Sequence, residues 1–365
     1  MRGPSIFACL PGLSTHFMLQ NFEKSQSNFG VADEALLPPP PPSQEIVAAE
    51  VSKPKQFVTD AITLQGGLTL LNGRVNGASV MTVGNADLVP GKYEGGLKLW
   101  ECTVDLVETL RREIQDGQLS FRGKRVLELG CGNGLPGILA CIKGATSVDF
   151  QDFNAEVLRS LTIHNVNLNL EQARSRLAKV TSDGTTQSKG LSIAPDVHYY
   201  AGDWGDVHKV LSVVPSGSPQ NGNAVDAFNF TFTESDLLAT EQESDVGDVI
   251  SRVSRNRAGR RMSGSRACER GNSDSAQEGG YDIILMSDTV YSMASLPKLY
   301  GLIKKCLRPP YGVLYMAGKK HYIGGGGTRQ FKHMVEEDGV MGAHLVADFA
   351  DGSSNVHEVW KFFFK

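Results

Sequence analysis

From about residue 60 the apolar and polar positions fall into alternating blocks of strand and helix length, while the residues before about 55 show neither period. Residues 125–129 read as a strand that runs through a cluster of glycines into a short helix ending near Lys143. Residues 147–151 form a second strand, followed by a long amphipathic stretch over 155–170. A third strand at 197–201 follows a polar loop. The fourth, "YDIILMS" from Tyr281, is nearly all apolar, as a strand covered on both faces should be. Residues 296–307 read as a helix and 312–317 as a fifth strand. Two more strands, 343–349 and 356–364, alternate as a C-terminal antiparallel hairpin on the sheet edge would. The series predicts an α/β fold around a mostly parallel sheet with helices on both faces.

Two stretches break the pattern. Residues 1–59 are polar and irregular and include the run Pro38 to Pro42, which predicts an exposed, disordered tail before a single domain over 60–365. Residues 215–280 are rich in Ser, Asn, Gly and charge and predict a disordered insertion. Seven arginines lie between Arg252 and Arg270 against one acid, Glu269, a cluster suited to an import receptor or a polyanion. A solvated surface loop is the plainer reading.

Charge and cysteine content narrow the class. The net charge of −4 over 365 residues excludes a polyanion binder working through overall charge, and no direct nucleic-acid specificity is expected. No apolar run is long enough to cross a bilayer, so no membrane partner is expected. The start, MRGPSIFACLPGLSTHF, reads as a poor signal peptide. The six cysteines are scattered without a C-x-x-C pair, which indicates neither a metal site nor a disulfide framework and fits a reducing, intracellular home.

The chemistry concentrates at "RVLELGCGNGLPG", where Gly130, Gly132, Gly134 and Gly137 fall within eight residues behind a buried strand. Glycine permits a sharp turn and close approach of backbone to a ligand. The spacing G-x-G-x-x-G matches the dinucleotide fingerprint, yet the turn holds no basic residue, and Glu128 stands inside the strand. An acid there suits a cationic ligand better than a pyrophosphate. At the end of the second strand, "VDFQDFN" offers Asp152, with Asp149 as the alternative, to accept from ribose hydroxyls. "AGDWGD" ends the third strand, where Asp203 can accept from an adenine amino group and Trp204 can lie beside the base.

The E-x-G-x-G-x-G form resembles the first motif of the seven-strand, Rossmann-like S-adenosylmethionine-dependent methyltransferases. Within them the chain resembles the protein-histidine methyltransferases most closely. That likeness is carried by "KYEGGLKLWECT" (92–103), "FQDFN" (150–154), "GDW" (202–204), "SDTVY" (287–291) and "KKHYIGGGGTRQF" (319–331), and covers about 90–210 and 280–365. The resemblance implies S-adenosylmethionine as cofactor. It places Trp100, Glu101, Thr103, Glu128, Gly130, Gly132, Gln151, Asp152, Asn154, Gly202, Asp203, Trp204 and Ser287 around it. It implies methyl transfer to an imidazole nitrogen of a histidine in a large-subunit ribosomal protein, in the cytoplasm or nucleus. Asp288, which stands where many relatives carry Glu, would accept from the substrate ring or cap the following helix. Tyr291 would wall the acceptor slot. His321, before the glycine run 324–327, would take a proton or stand merely exposed, and that run would act as a lid. A protein-lysine methyltransferase of the same group and a non-catalytic ribosome-assembly factor are the competing readings. A nicotinamide oxidoreductase lacks a proton-relay dyad.

Overall fold

The computed structural model describes residues 37–54, 56–76, 87–183, 195–211, 279–323, 325–350 and 356–365. The strands are β1 (Gln44–Glu45), β2 (Phe57–Thr63), β3 (Thr69–Val75), β4 (Arg125–Leu129), β5 (Ser147–Asp152), β6 (Asp196–Ala201), β7 (Ile283–Ser287), β8 (Val313–Lys319), β9 (Met341–Phe349) and β10 (His357–Phe364). The main helices are α1 (Glu101–Gln115), α2 (Leu135–Ile142), α3 (Ile163–Asp183), α4 (Leu296–Cys306) and α5 (Thr328–Asp338). A wider π turn over Leu158–Thr162 leads into α3.

One sheet carries the fold, in the order β1-β6-β5-β4-β7-β8-β10-β9. Strands β6, β5, β4, β7 and β8 pair in parallel, and β10 returns antiparallel against β8 with β9 outside it. The expected edge hairpin is thus present. Successive strands step outward from β4 in opposite directions, so β4 is the switch point, beyond whose carboxyl end ligands bind in such sheets.

The period of two sorts neighbouring residues into two cores. Val126, Ile283, Leu285, Tyr315 and Ala317 pack with Cys102, Leu106 and Leu110 of α1, Ile138 of α2 and Val166 of α3. Leu127, Leu129, Ile284, Met286, Leu314 and Met316 face Leu299 and Ile303 of α4 and Phe331 of α5. Strand β7, IILM followed by Ser287, serves both cores, which is why it reads as an unbroken apolar run. Helix α5 follows Gly327 and ends on Gly339 in the left-handed conformation, the common glycine stop. Its first turn uses Thr328 to Phe331, so the last four residues of the motif 319–331 are helical and the glycine run 324–327 directly precedes the helix.

The structure moves the amino-terminal boundary. Gln44 and Glu45 pair with Ala201 and Tyr200, Ile46 continues the pairing by donating its N–H to Tyr199, and the Ile46 side chain is buried. Phe57–Thr63 and Thr69–Val75 form a separate hairpin. Within the tail expected over 1–59, residues 44–46 thus join the main sheet and Phe57 begins a hairpin strand. Residues 1–36, and the insertion expected over 215–280 apart from Gly279 and Gly280, lie outside the described residues.

A tail would tolerate truncation of Ile46, whereas a plug in the core would not. Ile46→Ala is expected to lower unfolding free energy by about 2 kcal/mol, the lower end for a buried isoleucine. Urea denaturation checks this, and an unchanged midpoint would return residues 44–46 to the status of a tail.

Candidate functional site

The site is built on the turn that leaves β4. Gly130, Gly132 and Gly134 all have left-handed backbone, with φ of 60°, 47° and 75°. The N–H groups of Gly130 and Gly132 take acceptors from outside the turn, while the Gly134 N–H donates to the Cys131 carbonyl at 2.7 Å. Gly130 donates to Gln151 Oε1 at 3.2 Å and Gly132 to Asp152 Oδ2 at 3.0 Å. Gly137, in the first turn of α2, donates to Glu128 Oε2 at 2.8 Å. Strand β5 thus supplies the floor of the turn and β4 caps the helix that follows.

Gln151 joins three strand ends. Its Oε1 also accepts from Trp204 Nε1 at 2.9 Å, and its Nε2 donates to the Gly202 carbonyl at 2.9 Å. Asp203 accepts from the Gly205 N–H at 2.8 Å, closing the turn after β6. The carboxyl of Asp149, the alternative ribose acceptor, takes the Tyr281 hydroxyl at 2.5 Å. Asp152 is the acid beside the glycine turn.

The roof comes from residues 91–98. Asn154 accepts from the Glu94 N–H at 3.1 Å and donates to the Lys92 carbonyl at 2.8 Å. Glu94 accepts from the Gly91 N–H at 2.6 Å and from the Tyr291 hydroxyl. Trp100 donates to the Gly95 carbonyl at 3.0 Å. Gly96 lies so close that a Cβ there would stand 2.9 Å from Asp152 Oδ2, and a Cβ on Gly132 would stand 3.0 Å from the Gly96 carbonyl. Glycine is required at both positions because two backbones meet over one carboxylate. Neither Gly96 nor Glu94 was singled out by sequence. The signal available was the pair Gly95-Gly96 in "YEGGLKLW".

Burial sets the acids. Desolvation pushes Asp152 up to about 6, against the pull of the N–H groups of Asn154, Gly132 and Phe153. Glu128 lies fully inside and burial holds its carboxyl well above the usual range. It orders the turn from beneath through Gly137 and is 1% exposed, which places it behind the loop instead of beside a ligand's amino group.

The acceptor side corrects several expectations. Asp288 is the one non-glycine residue with left-handed backbone among the described residues, at φ 52°. Its Oδ2 accepts from the Cys102 N–H at 3.1 Å and its Oδ1 from the Tyr322 hydroxyl at 2.5 Å. The carboxylate therefore caps α1 in place of the helix that follows, and both oxygens already hold protein donors. Asp288 is a positioning group, and desolvation raises its pKa. Ser287 and Thr103 pair through their hydroxyls at 2.9 Å, tying β7 to α1. Glu101 faces outward, its side chain 69% exposed, with Lys319 at 3.0 Å and His357 at 3.6 Å. Gly202 lacks room for a Cβ because Ser43 Oγ would stand 2.3 Å from it, so the amino-terminal segment fixes that glycine.

His321 is exposed. Gly326 and Gly327 are pressed onto Tyr291 and Lys320, where a Cβ would fall 2.4 and 2.3 Å from backbone oxygens, and Ser292 bridges to Gly325. These glycines are packed against the strand end. Gly324 lies outside the described residues. Cys102, Asp105 and His357 bring three ligand-type atoms within 4.8 Å of one another, a grouping that scattered spacing did not suggest. His357 Nδ1 and Asp105 Oδ2 are hydrogen bonded at 2.8 Å.

Comparison with known proteins meets this geometry. Residues 90–220 match a family profile described as lysine methyltransferase. A histidine protein methyltransferase 1 homolog of Dictyostelium discoideum is 31% identical over 274 residues, 75% of this chain and 59% of that one. Over these segments the chain is similar to protein methyltransferases. Its counterpart in Bos taurus is 28% identical over 281 residues, 74% of this chain and 57% of that one. EEF1A lysine methyltransferase 3 of Mus musculus is 29% identical over 108 residues, 29% of this chain and 39% of that one. The chain spans somewhat over half the length of the histidine methyltransferases it matches.

S-adenosylmethionine is the cofactor that the likeness to methyltransferases implies, and the residues present fit it. Gly130 carries no Cβ where one would meet Thr289 at 2.7 Å, which leaves a cradle at the strand end. Thr289 is 4% exposed, and its hydroxyl has no hydrogen-bond partner among the described residues. A buried hydroxyl without a partner costs stability unless a ligand satisfies it. Asp152 would take the ribose, Trp204 and Asp203 the base, and the Gly130–Gly134 backbone the methionine end.

Two outcomes follow from these atoms. Thr289→Val, nearly isosteric, should raise the melting temperature slightly while weakening S-adenosylhomocysteine binding several-fold in calorimetry. Changes of the same sign in both would assign Thr289 to packing alone. The folded-state pKa of Asp152 lies above the ordinary carboxylate range, so its stabilising contribution is present at low pH and lost as pH rises from about 4 to about 6. Ligand affinity should run the opposite way, increasing through about pH 6 as Asp152 ionises and becomes the stronger acceptor. Titrations of wild type and Asp152→Asn over that window check the sign, and the variant should show a flat profile.

Proposed function

We propose that the protein is an S-adenosylmethionine-dependent protein-histidine N-methyltransferase. The observation that carries this reading is the extent of likeness. The histidine enzymes of Dictyostelium discoideum and Bos taurus align over about three quarters of the chain, while the lysine enzyme from mouse aligns over less than a third. The acceptor side supports it. A lysine enzyme would hold an ammonium with acidic or aromatic groups. Here the carboxylates of Glu94 and Asp288 are already engaged with Tyr291 and Gly91, and with Cys102 and Tyr322.

The bound cofactor supplies a methyl group on a sulfonium, already electrophilic, so the chain's task is alignment of a neutral imidazole nitrogen with the S–CH₃ axis. Histidine is substantially unprotonated near neutral pH, so the nucleophile needs little activation. Tyr291, its hydroxyl held by Glu94, presents a fixed ring at the mouth of the roof segment. Asp288 holds the amino end of α1 and Tyr322 together, fixing the opposite wall. The second ring nitrogen must release a proton as the new N–C bond forms, and exposed His321 or water would take it.

The acceptor proposed from the resemblance is a large-subunit ribosomal protein, which places the enzyme in the cytoplasm or nucleus. The arginines between Arg252 and Arg270 would then serve an import receptor. The competing protein-lysine methyltransferase reading rests on the family profile over residues 90–220.

The test is incubation of the purified chain and labelled S-adenosylmethionine with ribosomal proteins that lack prior modification, followed by mass spectrometry of the acceptor. Label on a histidine of one large-subunit protein is the expected result. Label on lysine would move the protein to the sister class, and no label despite cofactor binding would overturn the catalytic reading.

A further inference from the structure

Three of the five residues of the glycine turn are glycines with left-handed backbone, so its shape depends on anchors from outside. Its N–H groups are anchored from the strand side by Gln151 and Asp152. Its other side is anchored by Asn133, buried within the turn between Gly132 and Gly134. Asn133 Nδ2 donates to Asn72 Oδ1 at 2.6 Å, and the Asn133 carbonyl accepts from Asn165 Nδ2 at 3.0 Å. Asn165 in turn accepts the Gly73 N–H at 2.6 Å. The turn, the hairpin and α3 close a ring of hydrogen bonds.

One helical turn further on, Asn169 repeats the contact. It accepts the Leu71 N–H at 2.8 Å and donates to the Leu71 carbonyl at 2.7 Å. Side-chain amides carry the same donor and acceptor as a peptide, so Asn165 and Asn169, four apart on one face of α3, take the place of a neighbouring strand along the free edge of β3. A Cβ on Gly73 would fall 2.7 Å from Asn165 Oδ1 and 2.1 Å from the Phe57 ring, so this contact also explains the glycine inside a strand. Every one of these amides is buried, where an unmade hydrogen bond is costly.

We propose that the hairpin of residues 57–75 is part of the cofactor apparatus: through Asn72 and Asn165 it clamps Asn133 and holds the glycine turn in its ligand-receiving shape. The proposal rests on the turn being the cofactor site. Asn72, Asn133 and Asn165 are positioning residues, since they touch the loop backbone and one another. Asn169 holds the hairpin without touching the turn.

That division supplies the test, done on the full chain. Asn72→Ala removes the acceptor facing Asn133. It is expected to weaken S-adenosylhomocysteine binding at least tenfold in calorimetry and to speed hydrogen exchange at the amides of residues 130–134 in the ligand-free protein. Asn72→Asp, which keeps an acceptor, should recover most of the affinity. Asn169→Ala should lower the melting temperature yet leave affinity within about twofold of wild type. If Asn72→Ala does not yield folded protein, Asn133→Ala reads the same clamp from the turn. Lowered melting temperature with unchanged affinity and exchange in the Asn72 or Asn133 variant would reduce the ring to a structural edge cover. Wild type failing to bind S-adenosylhomocysteine would instead overturn the cofactor reading, and the exchange measurement would still report on the clamp.

Discussion

Everything at this site follows from the hydrogen bonds that a glycine turn cannot make for itself. A chain leaving a buried strand in left-handed steps presents N–H groups with neither a sheet nor a helix partner, and buried donors must find acceptors. Gln151, Asp152 and Glu128 are those acceptors. Two of them are carboxyls placed inside the protein, at a cost in desolvation that the N–H bonds only partly offset. The outcome is a fixed turn with an acid beside it whose pKa has moved into the range where it responds to pH. Cofactor affinity and fold stability meet on that one group with opposite pH dependence.

The same constraint explains why the site needs so many distant parts. The turn is floored by β5, roofed by residues 91–98 and gripped from the side by a hairpin that is no part of the main sheet. Each contact is short-range and directional, and each comes from a different stretch of chain. The two apolar cores on either face of the sheet supply stability of a less directional kind, and allow the strand ends to carry buried polar groups that destabilise locally.

What could be read in advance reflects this division. The parallel strands were legible because double burial writes an apolar run, as in β7, and the acids at 152 and 203 because they sit at strand ends. Strand β1 was not, since two residues have no period. The hairpin was missed because β2 exposes most of its length and alternates weakly. Helix α5 was hidden by the glycines before it. Within the site, the motifs named the residues but not their partners. Asn133 and Asn72 are 61 positions apart, and Asp288 and Cys102 are 186 apart. Pairings at such separations leave no local pattern in one sequence.

Asp288 shows how backbone and side chain together select a residue. Its left-handed conformation is costly for most side chains and tolerated by Asp and Asn, whose short polar groups bond locally. From that backbone the carboxylate reaches the α1 terminus on one oxygen and Tyr322 on the other. Tyr322 also accepts the Lys319 N–H at 3.0 Å, so one acid connects the start of α1, the end of β7 and the end of β8. An acid in a left-handed turn thus makes a rigid joint between three elements. The proposed acceptor slot is then shaped by Tyr291 and Tyr322, whose hydroxyls are both held by half-buried acids, and its geometry depends on those two bonds more than on any group free to move protons.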